Sequence, residues 1–318
     1  MNGETFCCIC HVRVEKPKIL GGRAYCERCH AKVTKERGGL WQAGIVEIVA
    51  LLIFVALVAF VGAPLIRSAG IESRRPEDPV VILIGIILAL IPALIWLAFF
   101  YQQDRLEPEP KPYVFGVFLL GVLLAGAVST PLTRDLFQVE DWLYQSALSR
   151  ILGSILVIGF VQEFLKYAAV RYSVYSSAEF DERVDGVIYA TAAGLGFATM
   201  LNFQYVLAFG GVDPTVGAIR MVVNALAHAS FAGVIGYFLG QAKFEAKGPL
   251  WLPAGLCLVA IINGLFFYVE DVATSQGLQF RPAYGLALAA AIAILTFAAV
   301  FYLIRRANAR TLAESSAE

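Results

Sequence analysis

Two stretches of this sequence place ionisable side chains inside segments that are otherwise apolar. The run GFVQEFLKYAAVRY, residues 159–172, contains Glu163 and Lys166, and His228 lies in a later apolar segment. Charged groups in hydrocarbon are costly, so they usually serve a purpose. A metal held by imidazole and carboxylate groups lowers the pKa of a bound water, and a further carboxylate can take its proton. Glu163 and His228 therefore suit metal-assisted hydrolysis, although a catalytic zinc needs about three protein ligands and a base besides.

The same residues also allow a purely structural interpretation. Glu163 and Lys166 are three positions apart, so on a helix they can form an internal ion pair. His228 can be a neutral imidazole in a helical core, with amide side chains joining neighbouring helices. At a rise of about 1.5 Å per residue, Asn202, His228 and Asn263 fall at similar depths in their segments. Glu163 falls somewhat deeper in its own segment. We therefore expect these four segments to gather their polar groups, which include Gln162 and Lys166, in one layer of a shared cavity.

Two Cys-x-x-Cys pairs near the N-terminus have the spacing of a four-cysteine zinc ribbon. The predicted ligands are Cys7, Cys10, Cys26 and Cys29. Gly21 and Gly22 lie between the pairs and suit a tight turn that joins two short strands. So short a segment cannot bury a useful core, so a structural zinc ion would supply the folding free energy.

Other interpretations of the cysteines are a disulfide, a redox dithiol or an iron–sulfur site. A cytoplasmic location argues against disulfides, and a hairpin between the pairs argues against the other two. Cys8 and His30 are spare ligand candidates. Such modules contact protein or nucleic acid; here the Lys and Arg excess is modest, so we expect a cytoplasmic protein partner rather than nucleic acid.

The composition indicates that helices in a membrane position these residues. Of 318 residues, 58% are hydrophobic and 16% are charged, and the mean hydropathy is +0.69. Eight apolar runs are long enough to cross the hydrocarbon, which takes roughly 20 residues. They lie near 43–66, 79–101, 113–133, 147–171, 186–209, 218–241, 250–270 and 283–304. We predict an all-α integral membrane protein of about eight transmembrane helices with a small N-terminal zinc-ribbon module.

Lys and Arg residues are more frequent in alternate loops and before the first span. The positive-inside bias therefore predicts both termini in the cytoplasm, and no cleavable signal peptide is expected in the polar first 40 residues. The acidic segment LEPEP, residues 106–110, is interpreted as a rigid turn between spans. We divide the chain into a zinc ribbon (1–38), a first transmembrane helix with its loop (39–78), a helical membrane domain (79–306) and a polar tail (307–318), of which TLAESSAE is predicted to be disordered.

Four motifs in order resemble the PrsW family of multi-pass membrane proteases over roughly residues 90–300. They are DRLEPEPKPYVFGVFLLG at 104–121, QEFLK at 162–166, DGVIYATAAGLGFATMLNFQYV at 185–206 and HASFAGVIGYFLG at 228–240. The resemblance implies a helical bundle similar to the CAAX-processing and bacteriocin-immunity-type proteases, with the active site within the membrane. It also implies metal-dependent cleavage of a membrane-tethered regulatory protein that controls a signalling response, in a bacterial or archaeal cell membrane.

This chain departs from the family pattern, which runs EExxK, GFAxxEN, a His, and then His-Gly. Gln162, Leu201 and Asn263 stand where the pattern has Glu, Glu and His. Glutamine is not a general base, leucine cannot bind a metal, and asparagine is a poor zinc ligand compared with imidazole. The retained positions are Glu163, Lys166 and His228 as catalytic candidates, and Asp185 and Asn202 as supporting ones.

Three functions follow from this combination. The first is a PrsW-like intramembrane metalloprotease with impaired activity, in which Glu163 is base or ligand and His228 binds a second zinc. The alternative is an inactive pseudoprotease, a membrane scaffold that binds a client and uses the zinc ribbon to contact a partner. A transporter or channel is a weaker third hypothesis, since intramembrane charge also marks ion pathways. The residues leave enzymatic activity and the second zinc open.

Overall fold

The computed structural model describes residues 5–20, 22–34, 40–71, 75–104, 106–208, 214–275 and 282–315. Within these ranges eight helical segments are long and apolar enough to cross a membrane. They are Ile45–Ser68, Pro79–Tyr101, Lys111–Leu136, Ala147–Ser173, Asp185–Ala208, Gly217–Phe244, Trp251–Glu270 and Ala287–Leu312. The predicted fold class and the predicted number of spans are confirmed.

In the described part of the chain, twelve α-helices and four π-helical segments form these spans, the short helices between them and helix α1 of the N-terminal module. The α-helices are α1 Glu27–Thr34, α2 Leu40–Leu57, α3 Ala63–Ser68, α4 Pro79–Tyr101, α5 Lys111–Leu124, α6 Val139–Trp142, α7 Ala147–Gly153, α8 Phe160–Ser173, α9 Asp185–Ala208, α10 Pro214–Phe244, α11 Trp251–Ser275 and α12 Pro282–Ser315. The π-helical segments are Val58–Gly62, Ala125–Ser129, Leu132–Leu136 and Ser154–Gly159. The first joins α2 to α3, and the last joins α7 to α8.

Helices α9 and α10 form the centre of the bundle, and the other spans surround them. Most side chains of these two helices are buried, whereas most side chains of the surrounding spans are exposed or half-buried, and their exposed residues are largely apolar, as a lipid-facing surface requires. The two central backbones approach closely because small residues line their interface. A Cβ atom at Gly194 of α9 would collide with the carbonyl oxygen of His228 in α10.

The π-helical segment before α8 packs against α11 in the same way. A Cβ atom at Gly159 would collide with the carbonyl oxygen of Ala260 in α11. A π-helical turn changes the direction in which the following side chains point. This close contact sets α8 against α11 directly before the positions of Gln162 and Glu163.

The N-terminal module is a two-stranded hairpin followed by a short helix. Strand β1 (Lys18–Leu20) pairs antiparallel with β2 (Arg23–Tyr25), and Lys18 lies opposite Tyr25. Gly22 in the turn has a φ of +74°, a left-handed conformation that glycine adopts without a Cβ clash. The predicted hairpin is confirmed, while Gly21 lies outside the described residues. Helix α1 follows and contains Cys29.

Eight crossings, one for each apolar helix of the described residues, would place the N-terminal module and the end of α12 on the same side. We call this the ribbon side; it includes the connections from α4 to α5, from α8 to α9 and from α10 to α11. That it faces the cytoplasm stays a prediction. The predicted disorder of TLAESSAE is wrong for residues 311–315, which continue α12. Arg310 holds this helix end by donating to Gln241 Oε1 and Glu245 Oε1, each at 2.7 Å.

Candidate functional site

A charged group and an imidazole from two helices meet in the middle of the bundle. The Nζ atom of Lys166 lies 2.5 Å from Glu163 Oε1 and 2.7 Å from His228 Nδ1. Glu163 and Lys166 have no exposed surface, and His228 is also buried. The ion pair that the structural interpretation of α8 allows is therefore present, and its contacts extend across to His228 of α10.

Two amide side chains connect this centre to α11. Asn263 Nδ2 donates to Gln162 Oε1 at 2.9 Å and to Glu163 Oε1 at 2.8 Å. Helices α8, α10 and α11 thus share one hydrogen-bonded network, in which α8 contacts both of the others. The predicted polar layer is confirmed for these two residues together with Glu163, Lys166 and His228, while their roles stay predictions.

Contrary to the prediction, the polar layer does not include Asn202. Asn202 Nδ2 donates to the carbonyl oxygen of Met221, and its Oδ1 accepts from Asn224 Nδ2 at 2.8 Å. Asn202 therefore ties α9 to α10 about one to two turns from His228. The neighbouring Leu201 packs in an apolar cluster with residues of α8 that include Val161. A position where the family pattern has a carboxylate is thus part of a hydrophobic contact.

Aromatic rings enclose the centre, and the sequence interpretation missed them. The Lys166 ammonium lies 5.2 Å from the ring centroid of Phe197, which lies 6.1 Å from that of His228. Phe266 of α11 makes an edge contact with the same imidazole. Rings in apolar spans carry no sequence signal that separates them from ordinary core residues, so these could not have been found by pattern.

The 2.7 Å contact between Lys166 Nζ and His228 Nδ1 couples the protonation of these two groups. An ammonium group donates and never accepts, so beside a charged Lys166 the His228 Nδ1 atom accepts and the neutral imidazole carries its own proton on Nε2. A charged Lys166 is balanced by an ionised Glu163 and a neutral Lys166 by a protonated Glu163, so the centre carries no net charge in either form, which is what a low-dielectric interior favours.

The membrane centre does not fit the metal that the family resemblance implies. A catalytic zinc takes about three protein ligands, and of the candidate groups here only Glu163 and His228 are strong ligands. Both already contact Lys166, whose ammonium would repel a divalent cation. In the part of the chain that the structure describes, three or more His, Cys, Asp or Glu side chains converge as ligands only at the cysteine cluster.

The cysteine cluster does fit a metal. One ligand atom from each of four residues lies within 4.8 Å of the others: Cys7, Cys10, Cys26 and Cys29. The Sγ atoms of Cys10 and Cys26 are 3.7 Å apart, close to the edge of about 3.8 Å for a tetrahedron of Zn–S bonds of about 2.3 Å. The spare candidates Cys8 and His30 are not part of this set. The predicted four-cysteine cluster is confirmed as a group that can hold a metal.

Supporting residue Asp185 lies at the ribbon-side start of α9. Its Oδ2 accepts from the backbone N–H groups of Asp181 at 2.7 Å and Glu182 at 2.5 Å. It therefore orders the loop that precedes the helix, and the structure does not bring it to the membrane centre. This agrees with the scaffold role expected of an acidic residue at a helix N-terminus.

Comparison with known proteins gives consistent matches. A family model described as "PrsW family intramembrane metalloprotease" matches residues 109–304. "Protease PrsW" of Geobacillus kaustophilus is 32% identical over 176 residues, which cover 55% of this chain and 74% of that protein. "Protease PrsW" of Halalkalibacterium halodurans is 31% identical over 179 residues, or 56% and 79%. No solved structure matches the chain.

The family match contains α5 to most of α12, and hence all residues of the membrane centre. The N-terminal module with the four clustered cysteines and the first two spans precede it. The relatives named above are bacterial, and the eight apolar helices make this an integral membrane protein. The chain belongs to the PrsW family of intramembrane proteases.

Proposed function

We propose that this protein is a PrsW-family pseudoprotease, which binds a membrane-tethered client without metal-dependent cleavage. The observation that supports this most strongly is the position of Lys166 Nζ between Glu163 Oε1 and His228 Nδ1. Lys166 already contacts one atom of each of the two groups that a metal would need, and the centre is neutral without a metal. The network then acts as a rigid link between helices rather than as a reactive site.

The three departures from the family pattern support the same function. Gln162 accepts a hydrogen bond from Asn263 and cannot take a proton from water. Loss of a general base typically lowers a rate by about 10²–10⁴. Leu201 contributes no ligand, and Asn263 uses its Nδ2 to donate to Glu163. Gln162 and Asn263 thus form a hydrogen bond between helices, and Leu201 packs against apolar side chains, at positions where the family pattern has Glu or His.

A hydrolase remains the second candidate, because one oxygen of the central carboxylate is free. Among the described residues Glu163 Oε2 has no hydrogen-bond partner although it is buried. Such an oxygen can accept a proton from an attacking water. In this second function Glu163 is the general base, and His228 and Lys166 orient it.

The deciding experiment uses a membrane-tethered protein as a cleavage reporter in vesicles that contain the full chain. We expect no cleavage by the parent protein, and cleavage by the variant with Gln162→Glu, Leu201→Glu and Asn263→His combined. The variant Leu201→Met is the matched control, since it changes the same position without adding a ligand. Cleavage by the parent that is lost in Glu163→Gln would overturn the pseudoprotease proposal and establish the hydrolase.

We further propose that the cysteine cluster holds a structural zinc ion and that no second zinc binds in the bundle. Metal analysis of the purified chain should give about one zinc per chain. It should give none after all four ligands are replaced by serine: Cys7, Cys10, Cys26 and Cys29. Zinc that survives these substitutions and disappears in His228→Ala would contradict the assignment.

We propose the division of the chain that the sequence predicts. It has a zinc ribbon at 1–38, a first transmembrane helix with its loop at 39–78, a PrsW-like helical membrane domain at 79–306 and a polar tail at 307–318.

We propose that both termini lie in the cytoplasm of a bacterial or archaeal cell. Labelling of an introduced C-terminal cysteine by a membrane-impermeant reagent, in intact cells and in lysed ones, tests the orientation. Labelling in intact cells would show that the C-terminus lies outside the cytoplasm and would refute the proposed orientation.

A further inference from the structure

One arginine of the zinc-ribbon module contacts three carboxylates of the membrane domain. Arg23 of β2 lies 2.9 Å from Glu107 and 2.8 Å from Asp181, and it also contacts Glu182. Its side chain is only 16% exposed, so water screens these ion pairs less than it would on an open surface. Two separate ribbon-side connections, from α4 to α5 and from α8 to α9, therefore meet at one guanidinium.

A second side chain of the same strand makes a contact of a different kind. Tyr25 is fully buried, and its hydroxyl group donates to the carbonyl oxygen of Leu106 at 3.0 Å. Because side chains two apart on a strand point to the same side, Arg23 and Tyr25 form one contact face. The segment LEPEP, predicted only as a turn between spans, is the surface that receives this face.

The cysteine cluster packs against the contact face, since Tyr25 shares a buried cluster with Cys7 and Cys29. Cys26 follows Tyr25 in the chain, and the backbone N–H group of Cys8 donates to the carbonyl oxygen of Ala24 at 2.9 Å. The first cysteine knuckle is thus hydrogen-bonded to the strand that carries Arg23. Because a module this small depends on metal for its fold, the zinc ion proposed above would hold this strand in position.

Beneath the contact face each acidic connection folds around a buried carboxylate. The backbone N–H group of Glu109 donates to Asp104 Oδ2 at 2.9 Å, while Asp185 Oδ2 accepts from two loop amides. The Tyr189 hydroxyl group of α9 donates to Glu109 Oε2 at 2.5 Å and joins the two connections. Burial, followed by the nearby charge of Asp185, raises the pKa of Glu109 to about 10. Acidic groups are therefore crowded here, and Arg23 supplies positive charge to them.

We propose that the zinc ribbon is an internal, metal-dependent clamp whose partner is the acidic connections of this same chain. Arg23 and Tyr25 hold the connection before α5 to the connection before α9, and loss of metal releases both. Since α9 carries Phe197 over Lys166, the clamp acts on the helix that covers the membrane centre. An external partner of the ribbon would have to use a different face. The metal-dependent part rests on the zinc site proposed above, whereas the Arg23 contact does not.

Hydrogen exchange of the full chain in detergent micelles tests the clamp, with three backbone amides as reporters: Glu109, Asp181 and Glu182. In Arg23→Glu we expect these amides to exchange about tenfold faster or more, with zinc content and exchange of α1 unchanged. Arg28→Glu is the matched control, because Arg28 is an exposed residue of the same module. Tyr25→Phe removes only one hydroxyl group and should accelerate exchange about fivefold near Leu106.

Chelation of the metal supplies the second arm of the test. We expect the three reporter amides to lose protection together with the amides of α1. Rapid exchange in α1 with unchanged reporters would overturn the clamp, and so would wild-type reporter rates in both Arg23→Glu and Tyr25→Phe. A chain that contains no metal yet responds to Arg23→Glu would refute the metal dependence and the zinc site, but not the pseudoprotease function.

Discussion

Replacing Lys166 with methionine removes the ammonium group between Glu163 and His228 while keeping a side chain of similar length. Removing one partner of a buried ion pair costs about 3–5 kcal/mol, because the other charge is left uncompensated. His228 Nδ1 also loses its donor, which costs about 1–3 kcal/mol. Asn263 still donates to Glu163 and offsets part of this loss. We therefore expect Lys166→Met to lower the free energy of unfolding by about 4 kcal/mol.

The double substitution tests whether this loss comes from the ion pair. Glu163→Gln alone leaves Lys166 charged and facing only His228, and should also cost about 3 kcal/mol or more. Lys166→Met with Glu163→Gln leaves no buried charge, so the combined loss should fall short of the sum by about 3 kcal/mol. Additive losses, to within about 0.5 kcal/mol, would refute the buried pair.

The assay is equilibrium unfolding in mixed micelles with a graded fraction of denaturing detergent, followed by circular dichroism of the helices. Lys111→Met is the matched control, since Lys111 is exposed at the start of α5. That substitution should change the free energy of unfolding by less than about 0.5 kcal/mol. A comparable loss in the control would mean that the method reports on lysine removal in general.

Three further predictions follow from other parts of the chain. Cys26→Ser should abolish zinc binding in metal analysis, whereas Cys8→Ser should retain about one zinc per chain. The raised pKa of Glu109 means that the folded state holds a proton which the unfolded state has released. Its contribution to stability is complete below pH 4.5 and is lost as pH rises through about 10, so a pH series of unfolding midpoints should be flatter in Glu109→Gln. Gly194→Ala should destabilise by about 1–3 kcal/mol, because its Cβ meets the His228 carbonyl group, while Gly116→Ala, whose Cβ meets nothing within 4 Å, should unfold like the parent.

The spans and the cysteine cluster could be predicted because their determinants are local. A run of roughly 20 apolar residues has few alternatives to crossing a membrane, and paired cysteines leave little choice of partners. The meeting of Glu163, Lys166, His228 and Asn263 was predicted as a layer, because depth along a helix follows from residue number. The prediction was wrong for Asn202, because the depth of a residue in the membrane does not specify which neighbour its side chain faces.

The contacts of the ribbon could not be predicted, because they join distant parts of the sequence. In the sequence Arg23 cannot be distinguished from an ordinary solvent-exposed arginine, because its partners lie more than 80 residues further along the chain. The π-helical turn before α8 was also missed, since its side chains read as part of a regular span. Both features depend on tertiary packing rather than on local propensity.

The neutrality of the membrane centre has a consequence for an energised membrane. Moving one elementary charge across a membrane potential of about 100 mV changes its free energy by about 2.3 kcal/mol. Lys166 and Glu163 would move together because they lie 2.5 Å apart, so their joint displacement carries no net charge. Voltage therefore does almost no work on this centre, which argues against an electrogenic transporter. A displacement of this pair therefore costs the same free energy whether the membrane is polarised or not.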